Sequence, residues 1–68
     1  MYDVLVPTEI KKYASAKEAS TARKEAISMM AHLSLQGYRD NDYPSLRCGA
    51  CSFDDDGFYV VFPIVDAQ

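Results

Sequence analysis

Three groups of residues in this chain have types and spacings that could do chemistry. Cys48-Gly49-Ala50-Cys51 is a C-x-x-C pair, the spacing of half a zinc site or of a redox dithiol. A four-ligand zinc site within one chain would need Cys48, Cys51, the single histidine His32 and a carboxylate, since no second C-x-x-C exists. The redox form needs a helix N-terminus behind the cysteines to lower the thiol pKa. Here an aspartate turn and a strand pattern follow instead. In an extended segment, residues three apart lie roughly 10 Å from one another and point to opposite faces, which excludes a shared metal or a disulfide. The two cysteines therefore read as small structural hydrophobes, and no metal site is assigned.

Asp54-Asp55-Asp56-Gly57 has the look of a calcium loop, but the EF-hand pattern needs an acid where Ser52 stands and a glutamate where Pro63 stands. The run reads better as a hairpin turn with solvated carboxylates. Together with Asp40 and Asp42 it forms a candidate acidic patch for a basic protein surface, or a mimic of nucleic-acid phosphates. His32 falls in the last turn of a helix, where a cation suits the macrodipole. With no nucleophile and orienting carboxylate at a recognisable spacing, no catalytic residue is assigned and the chain is not read as an enzyme. Phosphate-loop, G-x-S-x-G and H-E-x-x-H patterns are absent, and no cofactor is implied.

The elements that must position these residues are marked most clearly at 15–37. Ser15-Ala16-Lys17-Glu18 spells a capping box, and Gly37 supplies a left-handed stop with Tyr38 placed to fold back on Leu33. Ala19, Ala22, Ala26, Met29, Met30 and Leu33 recur at helical spacing, with Ile27 beside them. Alanines fill the first half of that stripe, so this half can lie close to a sheet while the second half fills a wider gap. Lys17, Arg23, Lys24 and Glu25 fall mainly on solvated faces.

Tyr2-Asp3-Val4-Leu5-Val6, closed by Pro7, reads as the first strand, and residues 8–14 as a connector with a helical turn around Ile10 and Tyr13. Residues 38–45 form a polar loop. Residues 46–53 and 58–65 read as two strands joined by the Asp-Gly turn. Pro63 puts the last strand at an edge, or itself near that strand's end. Pairing across the turn sets Gly49, Cys51 and Phe53 on one face with Phe58, Val60, Phe62 and Ile64, and this face is expected under the helix. Gly49 would leave room there for Phe62 or Ile64. The other face holds Ala50 and Ser52 against Tyr59, Val61, Pro63 and Val65.

The fold class expected is α+β: a two-layer β-α-β-β unit over residues 1–68, one domain, with a three-stranded sheet and one long helix across one face. A chain of this size buries only roughly 60% of its unfolded surface, so a partner subunit, a second copy included, would add stability. The uncovered sheet face is apolar, and open apolar faces mark interfaces. Tyrosine is enriched in binding hot spots. Tyr38, Tyr43, Tyr59 and Val61 are therefore the candidate partner-binding residues of this face.

Hydrophobic residues make up 49% and charged residues 25%, the balance of a folded domain rather than a disordered one. The net charge of −3 is uneven: residues 1–37 carry five basic and four acidic side chains, residues 38–68 two and six. Direct nucleic-acid binding is disfavoured, and a partner protein with a basic surface is favoured. No apolar run is long enough for a membrane span, and no basic-then-apolar leader opens the chain, so a cytoplasmic location is expected.

In order and length, β-α-β-β over 68 residues, the chain resembles dodecins, small flavin-binding proteins that assemble into hollow oligomers. It has no tryptophan to stack on a flavin, and no site residue carries over. In size, acidity and bare α+β layout it also resembles the small inhibitors that phages and other mobile elements make against host complexes, anti-CRISPR proteins among them. The expected function is a non-enzymatic protein-binding module, an inhibitor that blocks sterically or electrostatically. The alternative is a dodecin-like oligomeric binder of small ligands.

Overall fold

The computed structural model describes residues 4–65. Its elements are β1 (Val4–Leu5), β2 (Thr8–Tyr13), α1 (Ala16–Leu35), β3 (Tyr38–Arg39), a single 3-10 turn (Pro44–Leu46), β4 (Cys51–Asp54) and β5 (Gly57–Pro63). The helix forms where its caps place it. The Glu18 N–H donates to Ser15 Oγ (3.2 Å), and that hydroxyl meets the Glu18 carboxylate in return (3.4 Å). At the far end the Gly37 N–H donates to the Ser34 carbonyl (3.2 Å), and Gly37 turns to φ 98°.

The expected α+β class is what the chain adopts: one helix lies against a three-stranded antiparallel sheet, with a small parallel pair beside it. The strand order is β2-β5-β4, and β1 pairs separately with β3. The first strand of the main sheet is thus Thr8–Tyr13, not the segment before Pro7. Residues 8–14, expected as a connector, supply six residues that pair along β5 from Thr8↔Pro63 to Tyr13↔Phe58. Pro7 ends no sheet; it separates two of them, and its carbonyl accepts from the Ile64 N–H at 2.8 Å. Three charges in the six residues of β2 hid its strand character, yet those charges suit an edge. β5 is the central strand. Pro63 is tolerated as its last residue and is almost fully buried.

The hairpin register is the one the sequence predicts: Cys51↔Val60, Ser52↔Tyr59, Phe53↔Phe58 and Asp54↔Gly57. Strand β4 is shorter than expected, because residues 44–50 form the 3-10 turn and a second turn. Asp55 and Asp56 keep negative φ, and only Gly57 (φ 138°) leaves the usual region.

The helix packs in two halves, as the change in side-chain size along its stripe foretells. Ala19, Ala22 and Ala26 lie against Val60 and Phe62, with Tyr13, Met29 and Phe58 at the margin. Met30 and Leu33 belong to a second cluster with Val6 and Cys48. Gly49 lies against the helix at Ile27 and Arg23. It sits in a turn, not in a strand, and the space it leaves is taken by Ile27 rather than by Phe62 or Ile64. A Cβ there would stand 2.5 Å from Ile27 Cγ1, and the residue holds φ 90°. Its N–H donates to the Val61 carbonyl (2.9 Å), and its own carbonyl accepts from Arg23 Nε (3.0 Å). Arg23 is exposed, as expected, and from that solvated face it ties the helix to the turn that leads into β4.

Gly49→Ala is therefore expected to cost about 2–3 kcal/mol, from positive φ and overpacking together. Urea unfolding measures this. Adding Ile27→Ala should recover the steric part, seen as a favourable coupling in the double-mutant cycle.

Candidate functional site

The sheet face away from the helix is concave. Ile10, Tyr59 and Val61 line it from the strands, Ala50 and Ser52 continue it, and Pro44 and Ser45 approach as a wall. The volume is about 540 Å³. The antiparallel register explains the grouping, since Ile10↔Val61, Lys12↔Tyr59 and Ser52↔Tyr59 are neighbours across adjacent strands and alternate residues share a face.

The floor is apolar and one end is charged. Toward the hairpin tip the Tyr59 hydroxyl hydrogen-bonds the Asp54 carboxylate, which holds that carboxyl below its ordinary range and pushes the phenol up. The Asp54 carboxylate also accepts from the Asp56 N–H (2.7 Å) and so shapes the turn. Lys12 stands over the Tyr59 ring (5.7 Å) and 3.7 Å from the Asp56 carboxylate. Asp55 and Asp56 are exposed.

The five acids expected to form one patch do not come together. Asp54, Asp55 and Asp56 sit at the hairpin tip. Asp40 lies by the other end of β5: its carboxylate accepts from the N–H groups of Asn41 (2.8 Å) and Cys48 (3.0 Å), and Gly49, next in the chain, bonds Val61. Four residues of strand separate the two places, about 13 Å. Asp40 is thus a half-buried loop staple, and Asp42 is exposed and paired with Arg39 (3.0 Å). The acidic surface suited to a partner reduces to the tip.

Among the aromatic candidates, Tyr59 is half-buried at the groove and Tyr43 is 68% exposed in the turn leading to Pro44. Tyr38 pairs with Val4 in the small parallel bridge, away from the main sheet. Val61, expected on an open face, is buried at 4% exposure and forms the groove floor. Ile10, at 59% exposure, is the apolar residue that sequence reasoning misses, because its segment reads as a connector. The signal lay in the β-branched pair Thr8 and Ile10 at strand spacing.

The cysteines are both free, Cys48 buried and Cys51 exposed. Burial, then the charge and hydrogen bond of Asp40, push the Cys48 thiol up to about 12. Among the described residues no group of three His, Cys, Asp or Glu side chains could hold a metal ion. No helix in them is long and apolar enough to cross a membrane. No family model, curated protein or solved structure matches this chain.

Native protein at pH 8 should react with one equivalent of a maleimide, at Cys51, and with a second only when unfolded. A raised thiol pKa stabilises the fold fully below the unfolded value near 9.0, and the contribution is lost as pH rises toward about 12. Stability should therefore fall above pH 9 in the native chain and fall less in Cys48→Ala, as measured by denaturant titrations across that range.

Proposed function

We propose that this chain is a non-enzymatic protein-binding module, an inhibitor or accessory factor of the cytoplasm that blocks a larger complex by occupying its surface. The observation that carries the reading is the groove on the uncovered sheet face, apolar in its floor and acidic at one end. A pocket of this make-up suits an apolar anchor residue from a partner, with a lysine or arginine beside it to meet Asp55 and Asp56. Tyr59 and Ile10 provide contact area at small entropic cost, because the sheet already holds their backbone. The acidic half of the chain steers it to a basic surface. Its size and charge are those of the inhibitors that mobile elements direct at host assemblies.

The exposed thiol of Cys51 lines the groove, with no histidine in that lining and no metal-holding group among the described residues; support for a non-catalytic role comes from the other two reactive residues. His32 is in the last turn of the helix, across the sheet from the groove. The Cys48 thiol stays protonated at neutral pH.

The alternative is an oligomeric binder of small ligands. The observation in its favour is that the concavity of about 540 Å³ falls in the range of small-molecule sites, about 300–1,000 Å³.

Two variants test the proposal with the fold intact. Asp55→Lys with Asp56→Lys removes the acidic tip and spares Asp54, whose carboxylate shapes the turn. Ile10→Asp charges the floor. Each is expected to weaken capture of a basic partner by about tenfold or more, roughly 1.4 kcal/mol, with little change in Tm. Unchanged affinity in both would overturn the reading, and a chromophore or metabolite co-purifying in a many-subunit assembly would replace it with the alternative.

A further inference from the structure

The two edges of the main sheet are unlike. The edge at β2 carries Glu9, Lys11 and Lys12, charges of the kind that keep an edge from pairing. The edge at β4 carries Cys51, Ser52 and Phe53 before its first charge, and all four of its residues are exposed. Phe53 is the most exposed aromatic of the described residues, at 77%, although it lies on the sheet face that the helix packs against. The helix covers β5 and stops short of β4.

The phase of the ladder says which backbone groups of β4 are open. The Val61 N–H donates to the Ala50 carbonyl (3.0 Å), so Ala50, Ser52 and Asp54 turn their backbone toward β5. Cys51 and Phe53 then point theirs outward. Two N–H and two C=O groups thus stand on the open edge, spaced for one more antiparallel strand.

Charge tells which strand. The start of β4 carries two arginines against one carboxylate: Arg23, whose Nε donates to the Gly49 carbonyl (3.0 Å), and the exposed Arg47, beside Asp40, which accepts from the Cys48 N–H (3.0 Å). Its end is the anionic tip of Asp54, Asp55 and Asp56. A second copy laid parallel would set like charges together. A second copy laid antiparallel sets each acidic tip against the other's cationic base, twice over. The edge is self-complementary in that direction alone.

We infer that this chain forms a two-fold symmetric dimer by antiparallel pairing of β4 with β4 of a second copy. The outward residues fix the register. Cys51 of each copy faces Phe53 of the other, making four inter-chain hydrogen bonds, and the two Ser52 residues face one another on the axis. The sheet becomes six-stranded. Phe53 gains cover from the second chain, and the two grooves lie on one continuous face. The inference shares Asp55 and Asp56 with the protein-binding reading, but Phe53 lies on the helix side and Ile10 is two strands away, so the Phe53 and Ser52 variants test the dimer separately from the groove.

The first measurement is native mass by light scattering after size exclusion, over a concentration series, because a short edge gives a concentration-dependent dimer. The expected result is twice the 7.6 kDa of one chain at the upper end. A monomer throughout overturns the inference. Phe53→Lys should yield the monomer with an unchanged circular dichroism spectrum. Asp55→Arg with Asp56→Arg should also yield it, and adding Arg47→Asp should restore the dimer. Should either edge variant fail to fold, the axis gives an independent readout. Residues facing in a non-hydrogen-bonded pair have Cα atoms about 4.5 Å apart, within disulfide range. Ser52→Cys in a Cys51→Ser background should therefore cross-link under mild oxidation, whereas the native Cys51 should not. A dimer that forms without that cross-link would place the interface elsewhere and overturn the inference.

Discussion

The contact of Ala19, Ala22 and Ala26 with Val60 and Phe62 is the constraint on which the rest of the structure depends. Small side chains let the helix axis come close to the sheet, and only a central strand can present two buried residues to it. Burying Val60 and Phe62 contributes about 1.5–3 kcal/mol each, a large share for a chain with so little core. Because β5 is held there, β2 and β4 pair on its two sides, and its alternate residues, Tyr59 and Val61, face the other way. The groove is the far side of the same packing decision.

Polar contacts then give the groove its ends. Arg23 and Gly49 fasten the turn before β4 to the helix, which sets Ala50 against Val61 and brings Pro44 and Ser45 to the groove. Asp40 gathers the N–H groups of Asn41 and Cys48 and so closes the loop that carries that wall. At the opposite end, Asp54 organises the hairpin turn, leaving Asp55 and Asp56 exposed. Carboxylates that look alike in the sequence have different work: Asp40 and Asp54 satisfy backbone donors, whereas Asp55 and Asp56 present charge to solvent. The helix packs over β5 and does not cover β4, whose four residues are all exposed. That open strand is where an additional strand or subunit meets least resistance.

Several features were legible because their causes are local. The helix has a cap residue and a stop residue, the hairpin has a turn between two strand patterns, and the stripe from Ala19 to Leu33 records its own periodicity. The register followed from the turn, and with it the grouping of Tyr59 and Val61 on one face. The misreadings have a common cause as well. Thr8–Tyr13 is an edge strand whose charges face solvent, so its pattern lacks the apolar alternation of a half-buried strand. The apolar run around Gly49 predicts a strand, although a positive φ and the approach of Ile27 put it in a turn.

By itself, the amino-acid sequence determined the α+β class, the helix with both its ends, the hairpin register and the division of the helix stripe into a small and a large half. Each rests on interactions between residues near in sequence, where side-chain type dictates backbone geometry. Only the tertiary structure decided that β5 is central, that Ile10 joins Val61 across the sheet, that Asp40 is separated from the hairpin tip, and that the exposed Arg23 reaches the Gly49 carbonyl. Those outcomes depend on which distant surfaces meet. The free energy of that choice comes from burying Val60 and Phe62 together, a property of the assembled layers and not of any one segment.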